Sequence, residues 1–199
     1  TWSIDHTWQN DRSRTLLLNG YESRSRLNNA LHVRWNITRH WTFEVETERG
    51  RVANASDLLS GRTYTIDQES LRPRLTWQPG TTLRTLVTYK FTEKRNAPEF
   101  GGQQATLHDL GLEMRYNTPG KGSLLVNANL VEIRYDGEVN SPLGNEMLGG
   151  LKPGTNATWS ISLQRNLSNN LQVDITYNGR RSGGVPGVHV GGAQVRAYF

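Results

Sequence analysis

Period-two alternation of apolar and polar side chains recurs along nearly the whole chain, and it constrains the fold more than any other feature. From Arg26 to Thr38 the odd positions are Leu27, Asn29, Leu31, Val33, Trp35 and Ile37, and the even ones are Arg26, Asn28, Ala30, His32, Arg34, Asn36 and Thr38. Trp41, Phe43 and Val45 then oppose Thr42, Glu44, Glu46 and Glu48. Leu71, Leu75 and Trp77 oppose Ser70, Arg72, Arg74 and Thr76, and Leu83, Val87, Tyr89 and Phe91 oppose Arg84, Thr88, Lys90 and Thr92. Leu110, Leu112, Met114 and Tyr116 lead through Thr118-Pro119-Gly120 into Leu124, Val126, Ala128 and Leu130. Ala157, Trp159, Ile161 and Leu163 precede a last regular set, Leu171, Val173, Ile175 and Tyr177. With an opening segment at Thr1–Trp8 and a closing one at Val188–Phe199, the pattern predicts about ten strands joined as hairpins.

The connections alternate in length. Short turns are expected near Arg39, Gly80, Gly120 and Ser168, and longer polar links over Asn10–Glu22, Arg51–Arg62, Arg95–Gln103, Asp136–Gly154 and Arg180–Gly187. Short turns on one side and long loops on the other mark bacterial membrane barrels, whose short side faces the periplasm. The fold class expected is therefore all-β: an antiparallel up-and-down transmembrane β-barrel, residues 1–199 forming one wall. Both chain ends fall on the periplasmic side and the long loops outside the cell.

Composition supports a wall one residue thick. The apolar fraction is only 35% and the mean hydropathy -0.65, which is poor for filling a soluble core but natural where every second side chain faces water. No apolar run is long enough for a transmembrane helix, a test that does not reach strands. There are no cysteines, hence no disulfide framework or thiolate metal site. The net charge is +5, but Arg and Lys are spread singly along alternating segments, so no nucleic-acid surface is expected. A soluble β-sandwich or lipocalin-like barrel would also alternate. The aromatics favour the membrane: Trp35, Trp41, Phe43, Trp77, Tyr116, Trp159 and Tyr177 lie on apolar faces, mostly toward strand ends, as an interfacial girdle facing outer-membrane lipid would.

On the polar faces, Arg34 and His32 fall on the same side as Glu44, Glu46 and Glu48 of the next strand, so a hairpin through Arg39 sets opposite charges in cross-strand register. Arg72, Arg74, Arg84 and Lys90 add a basic stripe. Together these are the expected lumen-facing residues, either a selective pore lining or a charge ladder that satisfies itself in a watery interior. No catalytic set converges, no cofactor is expected and the chain does not read as an enzyme. His6, His32, His40, His108 and His189 fall on five different segments without metal spacing, and His108 and Asp109 point to opposite faces of one strand. The ten-stranded omptin proteases are barrels of this size, but no acid and histidine set near the loop-side strand ends resembles theirs. Four Asn-x-Ser/Thr triplets carry no information in a bacterial membrane protein. Pro73 breaks the pattern on the apolar face of its segment, which predicts a bulge, a strand edge or a shifted register there.

The final segment ends on Phe199, with Val195 and Ala197 alternating before it on the same face. This resembles the C-terminal β-signal by which the barrel-assembly machinery recognises outer-membrane substrates. A longer stretch resembles the closing region of large barrel proteins of the Bacteroidetes type: Glu146-Met147-Leu148-Gly149-Gly150-Leu151-Lys152-Pro153-Gly154-Thr155-Asn156, the strand through Trp159 and Leu163, Tyr177-Asn178-Gly179-Arg180, and Val188-His189-Val190-Gly191. That resemblance implies the bacterial outer membrane and further N-terminal sequence, which would make these strands the C-terminal part of a wider barrel. The chain also opens inside an alternating pattern, as a fragment would. Two functions are expected from this: a channel or part of a transport or protein-export conduit, or a structural or assembly component with a plugged lumen whose long loops, above all Asp136–Gly154, bind other outer-membrane or periplasmic subunits. A barrel enzyme is a third, with no residue to carry it.

Overall fold

The computed structural model describes residues 1–17, 20–57 and 59–198. Ten strands follow one another in the chain: β1 (Trp2–Leu17), β2 (Gly20–Asn36), β3 (Trp41–Ser56), β4 (Tyr64–Trp77), β5 (Leu83–Asn96), β6 (Gln104–Thr118), β7 (Gly122–Asp136), β8 (Gly154–Ser168), β9 (Leu171–Arg181) and β10 (Val188–Ala197). One short helix, α1 (Pro142–Leu148), interrupts the series between β7 and β8. All ten strands form a single antiparallel up-and-down sheet in sequence order, as the alternation requires. Phe199, the terminal residue of the expected assembly signal, lies outside the described residues.

The expected short turns stand where the Pro-Gly and polar signals put them, and the links after β5, β7 and β9 are loops as expected, but the first two expected long links are largely or partly strand. β1 runs on to Leu17 and β2 starts at Gly20, so Asn10–Glu22 is a hairpin, paired from Asn10↔Leu27 to Leu17↔Gly20. β3 likewise continues through Ser56. Neither stretch keeps an apolar side chain at every second position, so hydropathy carries no outward period there; the ladder continues because backbone pairing needs no apolar face. Pro73 causes no bulge. It pairs with Val45 in an unshifted β3–β4 register, and β4–β5 keeps one register on both sides of it, Leu71↔Phe91 and Arg74↔Thr88. Among the described residues the one register shift lies between β8 and β9, at Asn166/Ser168.

The two faces of the sheet differ. On the outer face large apolar side chains are solvent-exposed in strand after strand: Leu31, Trp35, Trp41, Leu75, Val87, Leu112, Tyr116, Leu130, Ile161, Ile175 and Val195. A soluble domain would bury such a band. From Leu83 to Phe91 on β5 it spans roughly 20 Å for a strand tilted by ~40°, close to the ~25 Å apolar height of a membrane barrel. Toward the loop end the same face turns charged, with Arg49–Glu69 at 2.8 Å, Arg51–Asp67 at 2.6 Å and Arg134–Glu132 at 3.2 Å. Strands of 14 to 17 residues in β1 to β8 exceed the ~9–11 needed to cross a bilayer, and the excess forms this polar collar.

The inner face carries α1. Glu146 of α1 reaches Arg24 on β2 at 2.8 Å, while Leu148 packs on Val131 and Ile133 of β7. Five strand spacings laid flat would separate β2 from β7 by about 24 Å. A seven-residue helix, about 10 Å long, touches both only because the sheet curls around it. Among the described residues β1 and β10 do not pair with each other, and every described residue from Trp2 to Leu16 and from Val188 to Ala197 is exposed. The curled sheet therefore has two open edges. Both chain ends lie at its short-turn end: Asn36 donates its N–H to the Thr1 carbonyl, and Tyr198 donates to the Asn170 carbonyl.

Candidate functional site

The inner-face charges form one continuous ladder at mid-height. β3 places Glu44, Glu46 and Glu48 on this face at every second residue, opposite Arg34, His32 and Ala30 of β2 and opposite Arg74, Arg72 and Ser70 of β4. Glu44 lies 3.6 Å from Arg34 and 3.8 Å from Arg74. Glu46 is held by Arg72 at 3.5 Å and Arg74 at 3.3 Å. Glu48 is 3.9 Å from Lys90 on β5, two strands away, and accepts a hydrogen bond from the Ser70 hydroxyl. The acidic strand thus sits between basic neighbours, and the basic stripe foreseen on β4 and β5 is largely neutralised. Arg84 alone of that stripe forms no ion pair among the described residues; it faces Arg115 across β5–β6, and Arg115 is 3.8 Å from Glu113. Half-exposed pairs of this sort are worth ~1 kcal/mol or less each. They fix the sign pattern of the surface more than its stability.

Above the ladder sits α1, which the alternation did not reveal. Ser141 caps it, its hydroxyl accepting from the Gly144 N–H at 2.9 Å; Pro142 occupies the first turn and Gly149, at φ 61°, ends it in the left-handed conformation. The spacing of Leu143, Met147 and Leu148 turns one apolar stripe of α1 onto the wall. Leu143 and Met147 join Val52, Tyr64, Ile66 and Ala105, while Leu148 joins Val131 and Ile133; Leu107 and Tyr135 pack against both groups. A sequence signal for this socket existed. Val52, Ile66, Leu107, Val131 and Ile133 are apolar residues on otherwise polar faces, all toward the loop end. The alternation is inverted there, because α1 covers the inner face while the outer face is charged and exposed.

Within the link Asp136–Gly154, the long loop expected to bind partners, α1 folds in onto the wall. Besides Arg24, bonded to Glu146 at 2.8 Å, the wall beside α1 includes Arg26, 3.6 Å from the same carboxylate, and Lys94, which donates from Nζ to the Glu146 carbonyl at 2.9 Å.

The expected aromatic girdle is on the outer face. Trp35, Trp41, Trp77 and Tyr116 lie at the short-turn end, with Trp41 and Trp77 stacked at 6.0 Å between centroids. Trp159 and Tyr177 stand higher and converge on His189, at 5.4 and 6.0 Å between rings, and the Tyr177 hydroxyl is 2.8 Å from His189 Nδ1. A second pair repeats this diagonal, Tyr89 to His108 Nδ1 at 2.7 Å. Val195 and Ala197 share the outer face of β10, facing Val173 and Leu171. No cluster of three or more His, Asp or Glu side chains able to hold a metal occurs among the described residues.

No known family profile matches this chain, and no curated protein matches it. Among solved structures it is similar to the NanC porin, at 12% identity and a TM-score of 0.46 over 100% of this chain and 97% of that one. It is also similar to the translocator domain of the autotransporter NalP from Neisseria meningitidis, at 13% identity and a TM-score of 0.42 over 98% of this chain and 73% of that one. A fold is compatible with many tasks, and the residues on its faces set which one is performed.

Proposed function

We propose that these ten strands are part of the wall of an outer-membrane β-barrel that serves as a conduit, with the inner face lining an aqueous lumen narrowed at its loop end by α1. The observation that carries this reading is the contrast between the two faces: an exposed apolar band of membrane height outside, and inside a hydrated ladder of Glu44, Glu46 and Glu48 flanked by Arg34, Arg72, Arg74 and Lys90. Arg84 belongs to the same lining. In hydrocarbon each unpaired backbone group costs several kcal/mol, so the open edges of β1 and β10 favour further strands beside them. The lumen is then wider than ten strands alone would enclose. In this orientation the short turns and both chain ends face the periplasm, and the collar and α1 lie outside. The aromatics meet lipid at the interfaces. The exposed edge of β10, with Val195 and Ala197, is what the assembly machinery would engage during insertion, together with Phe199 that follows in the sequence.

The test is conductance of the natural full-length protein, purified from outer membranes and inserted into planar bilayers. Discrete steps that grow when residues 138–150 are deleted support a conduit narrowed by α1. Absence of steps in both proteins, with the strands still protected from exchange, overturns it. The second reading, a scaffold with a plugged lumen and bound outer-membrane or periplasmic subunits, is favoured by the apolar seating of Leu143, Met147 and Leu148. It predicts no steps in either protein and co-purification of a partner.

A further inference from the structure

Two guanidinium groups converge on one carboxylate at the helix, and an ammonium holds the backbone oxygen of the same residue. Arg24 Nη2 donates to both Glu146 oxygens, at 2.9 and 2.8 Å. Arg26 Nη2 lies 3.6 Å from Oε1, and Lys94 donates to the backbone oxygen of the same residue. The nearby acids are committed elsewhere or stand off: Glu48 to Lys90 at 3.9 Å, and Glu22 to Arg62 at 3.5 Å. Asp11, opposite Arg26 across β1–β2, makes no ion pair among the described residues. Beside the carboxylate opens a cavity of about 550 Å³, lined by Arg26, Asn28, Glu48, Gln68, Lys94 and Glu146. The Asn28 side-chain oxygen is shielded from solvent there without a hydrogen-bond partner. A buried polar atom left unpaired is costly, so this one marks a place where a donor belongs. Wall, cavity and cations make a site for an anion bearing a hydroxyl, and Glu146 holds its charged half.

We propose that Arg24, Arg26 and Lys94 form an oxyanion-binding site that Glu146 occupies as a tethered ligand, and that a solute bearing a carboxylate or phosphate displaces Glu146 and loosens α1 from the wall. The binding site stands independently of the conduit reading; the effect on passage rests on it. Guanidinium groups select oxyanions over halides because two N–H donors match two oxygens. A specific ligand is therefore separable from simple screening, which any salt produces.

The experiment compares inorganic phosphate with chloride at equal ionic strength on the natural full-length protein in detergent, reading amide hydrogen exchange over residues 138–150 and over the strands. Phosphate is expected to raise exchange in residues 138–150 severalfold at concentrations where chloride does nothing, with the strands unchanged. Glu146→Gln should exchange fast from the start and bind phosphate about tenfold more tightly by calorimetry, because the internal competitor is gone. Arg24→Gln should abolish the phosphate response. Equal effects of the two salts, or no phosphate binding by a Glu146→Gln protein whose strands stay protected, would overturn the proposal. An exchange response in a protein that shows no bilayer conductance would leave the site standing and remove the conduit; conductance without an exchange response would do the reverse.

Discussion

Trp159 on β8 pairs directly with Gly179 on β9, and the indole occupies the space in which any side chain at 179 would stand, so that a Cβ there would overlap the ring. The glycine is buried by its neighbour's aromatic, and the covering indole is then in place to meet His189.

Gly179→Val should therefore force the Trp159 ring outward and cost ~1–3 kcal/mol by overpacking. The loss would appear as a lower urea midpoint in detergent, with a change in tryptophan emission. Unchanged emission and midpoint would mean that the ring has other places to go.

Met147 is fully buried between α1 and the wall. Met147→Ala removes that packing at a cost of ~2–5 kcal/mol if nothing collapses into the gap. The expected result is rapid proteolysis within residues 138–150 with the ten-strand ladder intact. Global unfolding instead would mean that the helix supports the sheet.

The ladder sets the sign of the inner surface. Replacing Glu44, Glu46 and Glu48 together with Gln leaves Arg34, Arg72, Arg74 and Lys90 unopposed. The reversal potential under a salt gradient should then shift toward anion selectivity, and the shift should shrink as salt rises because screening shortens the reach of these charges. A reversal potential that does not move would exclude these residues from the ion path.

The two faces should respond oppositely to charge. Leu112→Arg, on the exposed apolar band, should cost ~2–4 kcal/mol of folding into vesicles if that band meets hydrocarbon. Asn178→Arg, exposed on the inner face of β9, should cost little. Equal tolerance at both positions in vesicle-folding assays would count against a membrane wall.

Strand number, sheet order and the faces of the alternating segments, from Leu27–Ile37 to Leu171–Tyr177, were legible in the sequence because lipid and water demand opposite chemistry at alternate positions. Where both faces are wet, as over much of Asn10–Glu22, hydropathy loses its period while hydrogen bonding continues, and in Arg51–Ser56 α1 covers Val52 on the inner face of a strand whose outer face is charged; strands in both stretches were read as loops. α1 was hidden for the converse reason. Seven residues are too few to display a helical period, and its socket is visible only as apolar residues out of place, such as Val52 and Ile133. The opposition of Arg34 to Glu44 followed from the hairpin alone; the closure of Glu48 by Lys90 needed β4 to lie between them.

Because the strands overshoot the apolar band, α1 and the cations that grip it stand in the collar, level with Arg49, Arg51 and Glu132 on the outside. No charged group need enter hydrocarbon when the helix moves. Its seat is then made of protein alone, and thickening or thinning the bilayer should leave it where it is.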